Sequence, residues 1–215
     1  MRRKSKKKIN KKRLVIVILI PVLVISLLVV GGILIFRDKD DNTNDNVNEV
    51  KKVDQMENYD YYLEEDVTEY YKELYNELKN VLNEEEVNME EYAKVVAKLF
   101  VTDLFTLDNK ITSSDVGGLQ FVYSSFKEDF INIAKSTLYS GIQSNIYGDR
   151  NQELPIVKNV IVNNVNESTF NYNGENHGSY EVSINIEYVK DLGYPSSYTV
   201  VLINNDKYLQ VVKAN

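Results

Sequence analysis

The residues that the sequence lacks exclude several classes of function. Among its 215 residues there is no cysteine, no tryptophan and only one histidine. Without cysteine there can be no disulfide, thiolate zinc site, cysteine nucleophile or lipid anchor on cysteine. A single histidine leaves little material for a transition-metal site. We therefore expect neither a metal nor any other cofactor.

Charge is distributed unevenly along the chain. Residues 1–13 carry nine Lys and Arg and no acid, whereas residues 14–215 have 16 basic and 32 acidic residues, a net charge of −16. The overall pI near 4.9 thus averages a basic tip with an acidic body. No aromatic residues interleave the cations of the tip, so we expect it to contact anionic lipid headgroups rather than nucleic acid.

A long apolar run follows the basic tip. Residues 14–36 are 23 consecutive residues without a charge, enough to cross the hydrocarbon core as one helix. No A-x-A-like cleavage site follows the run, which favours an uncleaved signal anchor over a cleaved signal peptide. The positive-inside rule then predicts a single-pass cell-membrane protein with a cytoplasmic N-terminus and an extracytoplasmic C-terminal domain.

Residues 37–55 are polar and have no clear period, which predicts a flexible linker. Four of its residues between 38 and 49 occupy positions 1, 3, 5 and 12 of a calcium-binding EF-hand loop. Position 6, which should be glycine, is Thr43, and no amphipathic helices flank the stretch. We interpret it as a solvated acidic tether.

Helical periodicity dominates the next part of the chain. Apolar residues recur at three- and four-residue spacing over 63–81, which predicts a first helix. A second helix is predicted to begin near Asn88, with Glu91 three residues later as a capping-box partner. Its apolar face runs over 92–104. A third helix is predicted over 126–138.

The last third of the chain changes to a period of two. Strands are predicted at 156–165, 180–188, 198–203 and 207–213. A turn-rich connection separates the first two strands, and Asn-Asn-Asp-Lys forms a hairpin turn between the last two. Residues 56–215 are therefore predicted to form one α+β domain, with about three helices packed on a four-stranded, curved antiparallel sheet.

The last predicted hairpin carries a resemblance to a known family. It reads L-I-N-N-D-K-Y-L-Q-V-V, and Asn205-Asp206-Lys207-Tyr208 stands where the nuclear-transport-factor-two-like (cystatin-like) superfamily often has an Asp-Gly-Lys-type turn and an aromatic residue. With its anchor, the chain resembles in architecture the inner-membrane scaffold subunits of type IV secretion and conjugation systems. The resemblance implies an envelope scaffold that contacts other membrane proteins. No functional motif of the superfamily has a counterpart here, so it assigns no site residue.

Asp103 is the one candidate for a catalytic group. It falls at the helical spacing of Phe100, so its carboxylate can face the interior as a general base, as in ketosteroid isomerase of the same superfamily. It can instead lie at the edge of the apolar face or cap the following turn. Together with Tyr180 and Tyr188, Asp103 is also a candidate for lining a ligand or partner pocket, although such tyrosines more often form core.

Two further motifs have structural interpretations. Gly117-Gly118 is not preceded by a strand or followed by lysine, so we interpret it as a bend or a close contact between helical segments rather than a phosphate cradle. His177, flanked by glycine, is interpreted as a solvated loop residue.

Three functions remain open at this stage. The first is a non-catalytic, membrane-anchored extracytoplasmic scaffold or accessory protein that contacts other proteins or a second copy of itself. The alternative is a small-molecule binding or sensing domain that uses the concave sheet as a pocket, and the third is an enzyme with Asp103 as base. A deep apolar cavity would favour binding, whereas a filled interior with an exposed apolar patch would favour scaffolding.

Overall fold

The computed structural model describes residues 51–215. The predicted basic tip, the predicted span at 14–36 and the calcium-like stretch at 38–49 lie outside the described residues. Within 51–215, no helix has both the length and the apolar character that crossing a bilayer requires.

The described residues form an α+β fold with three α-helices and two antiparallel sheets, one of two strands and one of four. In the four-stranded sheet the strands follow one another in chain order. This confirms the predicted class, helix number and antiparallel sheet. The elements are β1 (Lys52–Gln55), β2 (Tyr62–Glu64), α1 (Glu69–Leu82), α2 (Met89–Phe105), α3 (Lys127–Ser136), β3 (Val157–Tyr172), β4 (Glu175–Tyr188), β5 (Ser197–Asn205) and β6 (Tyr208–Ala214).

The two longer helices each begin at a side-chain cap. Thr68 Oγ1 accepts a hydrogen bond from the Tyr71 amide at 3.2 Å at the start of α1. Asn88 Oδ1 accepts from the amides of Glu90 and Glu91, each at 3.1 Å, at the start of α2. These bonds satisfy amides that have no partner within the helix. The predicted start of the second helix at Asn88 is confirmed.

The prediction is wrong at the N-terminal end of the domain. Residues 52–64 form the β1–β2 hairpin, whereas 52–55 was predicted as linker and Leu63 as part of the first helix. The hairpin forms because Met56 and Tyr61 in its turn both bury their side chains in the main core. The Met56 amide donates to the Tyr61 carbonyl at 3.0 Å and closes the turn. The helix starts later, at its Thr68 cap.

One face of the four-stranded sheet packs against α2 and is filled. Alternate residues of β4 and β5 point to this face and interdigitate with the predicted apolar face of α2. All are at most 3% exposed: Val182, Ile184, Ile186, Val200 and Leu202 of the sheet, and Tyr92, Val95, Val96, Leu99, Phe100 and Leu104 of the helix. The interior of the domain is therefore close-packed at the place where a concave-sheet pocket was an alternative.

The opposite face of the sheet carries a second, small core. Val201, Ile203 and Val212 are buried there beneath Tyr123, Phe126 and Phe170. The aromatic cover comes from the segment before α3 and from the far end of the β3–β4 hairpin. This hairpin extends past the part of β4 that pairs with β5 and contributes Phe170 to this face.

The β3–β4 hairpin is much longer than predicted. The turn-rich connection predicted between the strands is a two-residue turn, Asn173-Gly174, with φ of 52° and 83°. Positive φ at both central residues is typical of the type I′ turn that Asn-Gly favours in hairpins. His177 consequently lies within β4, half-buried and opposite Phe170, and not in a loop as predicted.

The C-terminal hairpin is joined to the N-terminal one by tyrosine hydroxyls. Tyr61 Oη lies 2.7 Å from Tyr92 Oη and donates to the Leu209 carbonyl at 3.2 Å. Tyr92 Oη in turn accepts from the Leu209 amide at 3.3 Å. The Tyr208 hydroxyl donates to Asp60 Oδ2 at 3.1 Å. The terminal strand β6 is therefore held by residues that precede it by more than a hundred positions.

Replacing Tyr92 with phenylalanine is expected to lower the free energy of unfolding by about 1–2 kcal/mol, because the buried Leu209 amide loses its partner. Chemical denaturation of the variant and the parent measures the difference. Tyr147→Phe is the matched control, since the Tyr147 side chain is 89% exposed and should leave stability unchanged. Equal effects of the two substitutions would contradict a structural role for the Tyr92 hydroxyl.

Candidate functional site

Asp103, the predicted catalytic candidate, forms a buried ion pair. Its Oδ1 accepts from the Lys110 ammonium at 2.6 Å, and its Oδ2 accepts from the Gly118 amide at 2.6 Å. The side chains of Lys110 and Asp103 are only 6% and 12% exposed. Both carboxylate oxygens are thus occupied by donors from the segment that follows α2. The arrangement ties this segment to the helix.

The Gly117-Gly118 motif makes the close contact that its sequence predicted. A β-carbon at Gly117 would lie 2.7 Å from the Asp103 carbonyl carbon, and one at Gly118, where φ is +80°, would lie 2.8 Å from the Phe100 ring. Both distances are shorter than a real β-carbon contact, so no larger residue fits at either position unless its neighbours shift. Tyr139 completes the contact, because its hydroxyl accepts from the Gly117 amide at 3.0 Å and donates to the Leu104 carbonyl at 2.8 Å.

The electrostatics of this cluster keep Lys110 protonated and Tyr139 neutral near neutral pH. Burial alone would lower the pKa of Lys110, but the adjacent Asp103 carboxylate outweighs it and the pKa is raised. Burial raises the pKa of the Tyr139 hydroxyl despite the nearby lysine. Burial also raises the pKa of Glu64, and Asp103 adds to the effect. The lysine stays protonated and the tyrosine neutral, which suits a structural cluster.

A small cleft lies beside Asp103. It is lined by residues of α1, α2 and the segments next to them: Val67, Thr68, Tyr71, Thr102, Asp103, Thr106 and Asn109. Two buried oxygens of its lining residues, Thr102 Oγ1 and Asn109 Oδ1, have no hydrogen-bond partner among the described residues. The cleft has a volume of about 10 Å³, enough for one water molecule. Pockets for small-molecule ligands typically enclose ~300–1,000 Å³.

Tyr180 and Tyr188, the two tyrosines predicted as possible pocket residues, do not line a common pocket with Asp103. Tyr180 is buried in the main core, and burial raises the pKa of its hydroxyl. Tyr188 donates to the Pro195 carbonyl at 2.7 Å beside Tyr194. The two lie eight residues apart on β4, which is about 26 Å along a strand. Neither lines the cleft at Asp103.

The described residues hold no cluster of three or more His, Asp or Glu side chains suited to a metal ion. His177 is half-buried in β4, and the residue opposite it on β3 is Phe170. It therefore has no carboxylate as its cross-strand partner.

Two of the three most exposed large apolar side chains of residues 51–215 lie on one loop, residues 144–150, which we call the tip loop. Ile146 is 64% and Tyr147 89% exposed. Asn145 ties the loop to the body, because its amide donates to the Ile111 carbonyl at 2.8 Å. Ile111 is itself partly exposed. The tip loop thus presents an aliphatic and an aromatic side chain to solvent.

Arg150 ties the tip loop to the segment that follows α2. Its guanidinium donates to the Lys110 carbonyl at 2.7 Å and to the Asp108 carbonyl at 2.5 Å. Its own amide donates to Asn145 Oδ1 at 3.1 Å. The loop is therefore fixed to the segment that carries the buried lysine.

Comparisons of the chain with protein-family models, with curated proteins and with solved structures find no match.

Sequence reasoning missed Lys110 and Arg150, the two cations that organise this region. Lys110 lies seven residues after Asp103, beyond the end of α2, so no helical spacing relates them. Arg150 lies in an irregular stretch, where no period indicates a contact. For Arg150 the usable signal was its rarity, because it is the one arginine in residues 51–215.

Proposed function

We propose that residues 51–215 form a non-catalytic domain that contacts other proteins, as the extracytoplasmic part of a membrane-anchored scaffold or accessory protein. The observation that carries this proposal is the tip loop: Ile146 and Tyr147 project into solvent from a loop that hydrogen bonds hold in place. Rigid exposed aromatic residues are typical of the few positions that dominate protein–protein affinity.

Pre-organisation makes the tip loop suited to binding. An interface loop that must become ordered on binding loses affinity through conformational entropy. Here Arg150 and Asn145 already fix the backbone around Tyr147 through four hydrogen bonds to the protein body and within the loop. Tyrosine also presents a large contact area with only two rotatable bonds. We expect the partner to offer an apolar pocket for these side chains.

The interior of the domain supports this proposal over the small-molecule alternative and over the enzyme. The inner face of the sheet is filled by α2, and the cleft beside Asp103 has the volume of a single water molecule. Both oxygens of Asp103 already accept hydrogen bonds. A general base needs an oxygen within reach of a substrate proton, and this geometry provides no room for a substrate.

A finer version of the proposal places the scaffold in a secretion or conjugation machine. It depends on the resemblance of the anchored architecture to inner-membrane scaffold subunits, and the α+β fold of residues 51–215 is compatible with it. The partners would then be other proteins of the envelope.

Photo-crosslinking tests the tip loop in the full-length chain within the membranes of its own cells. We expect benzoylphenylalanine at position 147 to give a discrete adduct with an envelope protein, identified by mass spectrometry. Adding Ile146→Ser should weaken that adduct, because a truncated central contact costs about 2 kcal/mol, or roughly 30-fold in affinity.

Position 189 supplies the matched control, since Val189 is also 64% exposed but lies after β4. The label there should give no adduct with the same protein. If positions 147 and 189 label the same proteins to the same extent, the tip loop is not a binding surface and the proposal is overturned.

A further inference from the structure

The two edge strands of the four-stranded sheet, β3 and β6, differ in how many of their outward backbone groups are hydrogen-bonded. On the β6 edge, the Leu209 amide and carbonyl bond to the tyrosine hydroxyls of the N-terminal half. The Val211 amide donates to the Phe121 carbonyl at 2.8 Å, and the Val211 carbonyl accepts from the Tyr123 amide at 2.9 Å. The edge-facing backbone groups of Leu209 and Val211 are therefore satisfied within the domain.

The β3 edge is satisfied only at its beginning. The Val157 amide donates to Thr106 Oγ1 at 3.3 Å, and the Val160 amide donates to the Tyr70 hydroxyl at 2.9 Å. From Ile161 to Tyr172 no group in the described part of the chain, other than β4, bonds to the β3 backbone. Twelve residues of strand thus present one row of free amides and carbonyls.

The features that usually protect a sheet edge from strand addition are confined to the first part of β3. Edge strands are normally protected by bulges, lysine or proline. Here the pairing with β4 is irregular near Lys158 and again near Asn163, but residues 164–172 pair without interruption. This regular stretch contains no lysine and no proline. It is an open template for another strand.

Charge indicates what pairs with this edge. Residues 51–215 carry 27 acidic and 14 basic residues, a net charge of −13, so two copies repel over most of their surfaces. Residues 161–172 carry a single charge, on Glu167, among four asparagines. This neutral strip is where two copies approach with least repulsion, and asparagine amides can bond across a strand pair.

We propose that the open β3 edge pairs with the β3 edge of a second copy of this chain, antiparallel about a two-fold axis, to join the two sheets into one of eight strands. The inference deepens the proposed function and rests on it, because it names self-association as one of the contacts of the scaffold. An isologous pair of this kind uses the same residues from both copies. The strand contacts of β-augmentation supply the affinity.

Disulfide scanning tests the pairing directly, because the chain contains no cysteine of its own. Single cysteines are introduced at each position from 164 to 169 in the full-length chain, in membranes treated with a mild oxidant. Around a two-fold axis, a residue n positions from the axis is separated from its copy by about 6.6 Å × n. We expect disulfide-linked dimer to peak at one position and to fall at least tenfold within two positions on either side.

Glu85→Cys, in the exposed connection between α1 and α2, measures collisional crosslinking. Dimer at 164–169 that does not exceed this control would overturn the pairing, while leaving the tip-loop result unaffected. Adducts with a different protein at these positions would also overturn self-pairing and show that another partner adds the strand. Equal dimer yields at all six positions would indicate parallel strands and contradict the antiparallel pairing.

A lysine on the strand provides the second variant. Asn166→Lys, or Asn164→Lys if the highest-yield cysteine is at position 166, is combined with that cysteine and is expected to reduce the dimer several-fold, because edge lysines oppose strand addition. Glu85→Lys, at an exposed position away from the strand, is the control and should leave the yield unchanged. Undiminished dimer in the edge-lysine variant would count against backbone pairing.

Discussion

Asp103→Asn is expected to destabilise the domain by about 3–5 kcal/mol, because it leaves the buried Lys110 ammonium without a counter-charge. The two carboxylate oxygens both accept hydrogen bonds, from Lys110 and from the Gly118 amide. An asparagine of the same shape must turn its NH₂ group towards one of these two donors. Chemical denaturation of the variant at neutral pH measures the loss.

A double-mutant cycle separates the ion pair from general damage. Lys110→Met alone leaves the carboxylate buried with only the Gly118 amide, and it should also destabilise the domain. In the double variant Asp103→Asn/Lys110→Met, the asparagine oxygen can accept from Gly118 while its NH₂ group no longer faces a cation. We expect the double variant to be more stable than the sum of the single losses predicts, by about 1–3 kcal/mol. Strict additivity would contradict a direct pair.

Gly117→Ala is expected to lower the free energy of unfolding by about 2–3 kcal/mol. Its β-carbon would overlap the backbone carbonyl of Asp103, and a backbone cannot rotate away as a side chain can. Overpacking of this kind costs about 1–3 kcal/mol. Displacing the Asp103 backbone would also disturb the adjacent ion pair between Asp103 and Lys110. We therefore expect a loss in the upper part of this range. Thermal unfolding of the full-length chain in detergent, or urea denaturation, reports the change.

Gly141→Ala is the matched control for this substitution. No atom lies within 4 Å of a β-carbon built at Gly141, and its φ is not positive. Alanine there should be neutral or should stabilise the protein by up to about 1 kcal/mol, since it restricts the unfolded chain. If the two alanine variants had the same stability, the close approach at Gly117 would not be real.

The elements that the sequence predicted best are those with a local physical cause. The start of α2 follows from the Asn88 side chain, and its buried face from a spacing that every helix must have. The one-face-buried alternation of β4 and the last hairpin turn are equally local. A bend or a close contact was predicted at Gly117-Gly118 because no strand precedes this glycine pair and no lysine follows it, as a phosphate-binding loop would require. These predictions need no knowledge of distant residues.

The failures have non-local or competing causes. The β1–β2 hairpin forms because its turn residues Met56 and Tyr61 are buried by the rest of the domain. The apolar residues from Leu63 onward have helical spacing, and this spacing was interpreted as the start of the first helix. The Asn173-Gly174 turn carried a clear local signal, but its polar surroundings were interpreted as loop. At the candidate site, Asp103 was found by its position on the helix. Its partner Lys110 was not, because only the folded segment after α2 brings the two together.

The tyrosine hydroxyls that bind β6 also determine when the domain can finish folding during its synthesis. Tyr61 and Leu209 are 148 residues apart in the chain. At about 5–20 residues per second, roughly 7–30 s of synthesis separate the two. Until Leu209 emerges, Tyr61 and Tyr92 lack the strand that they bond to, and the β6 side of the sheet does not exist. Completion of the fold therefore has to wait until β6 has emerged from the ribosome.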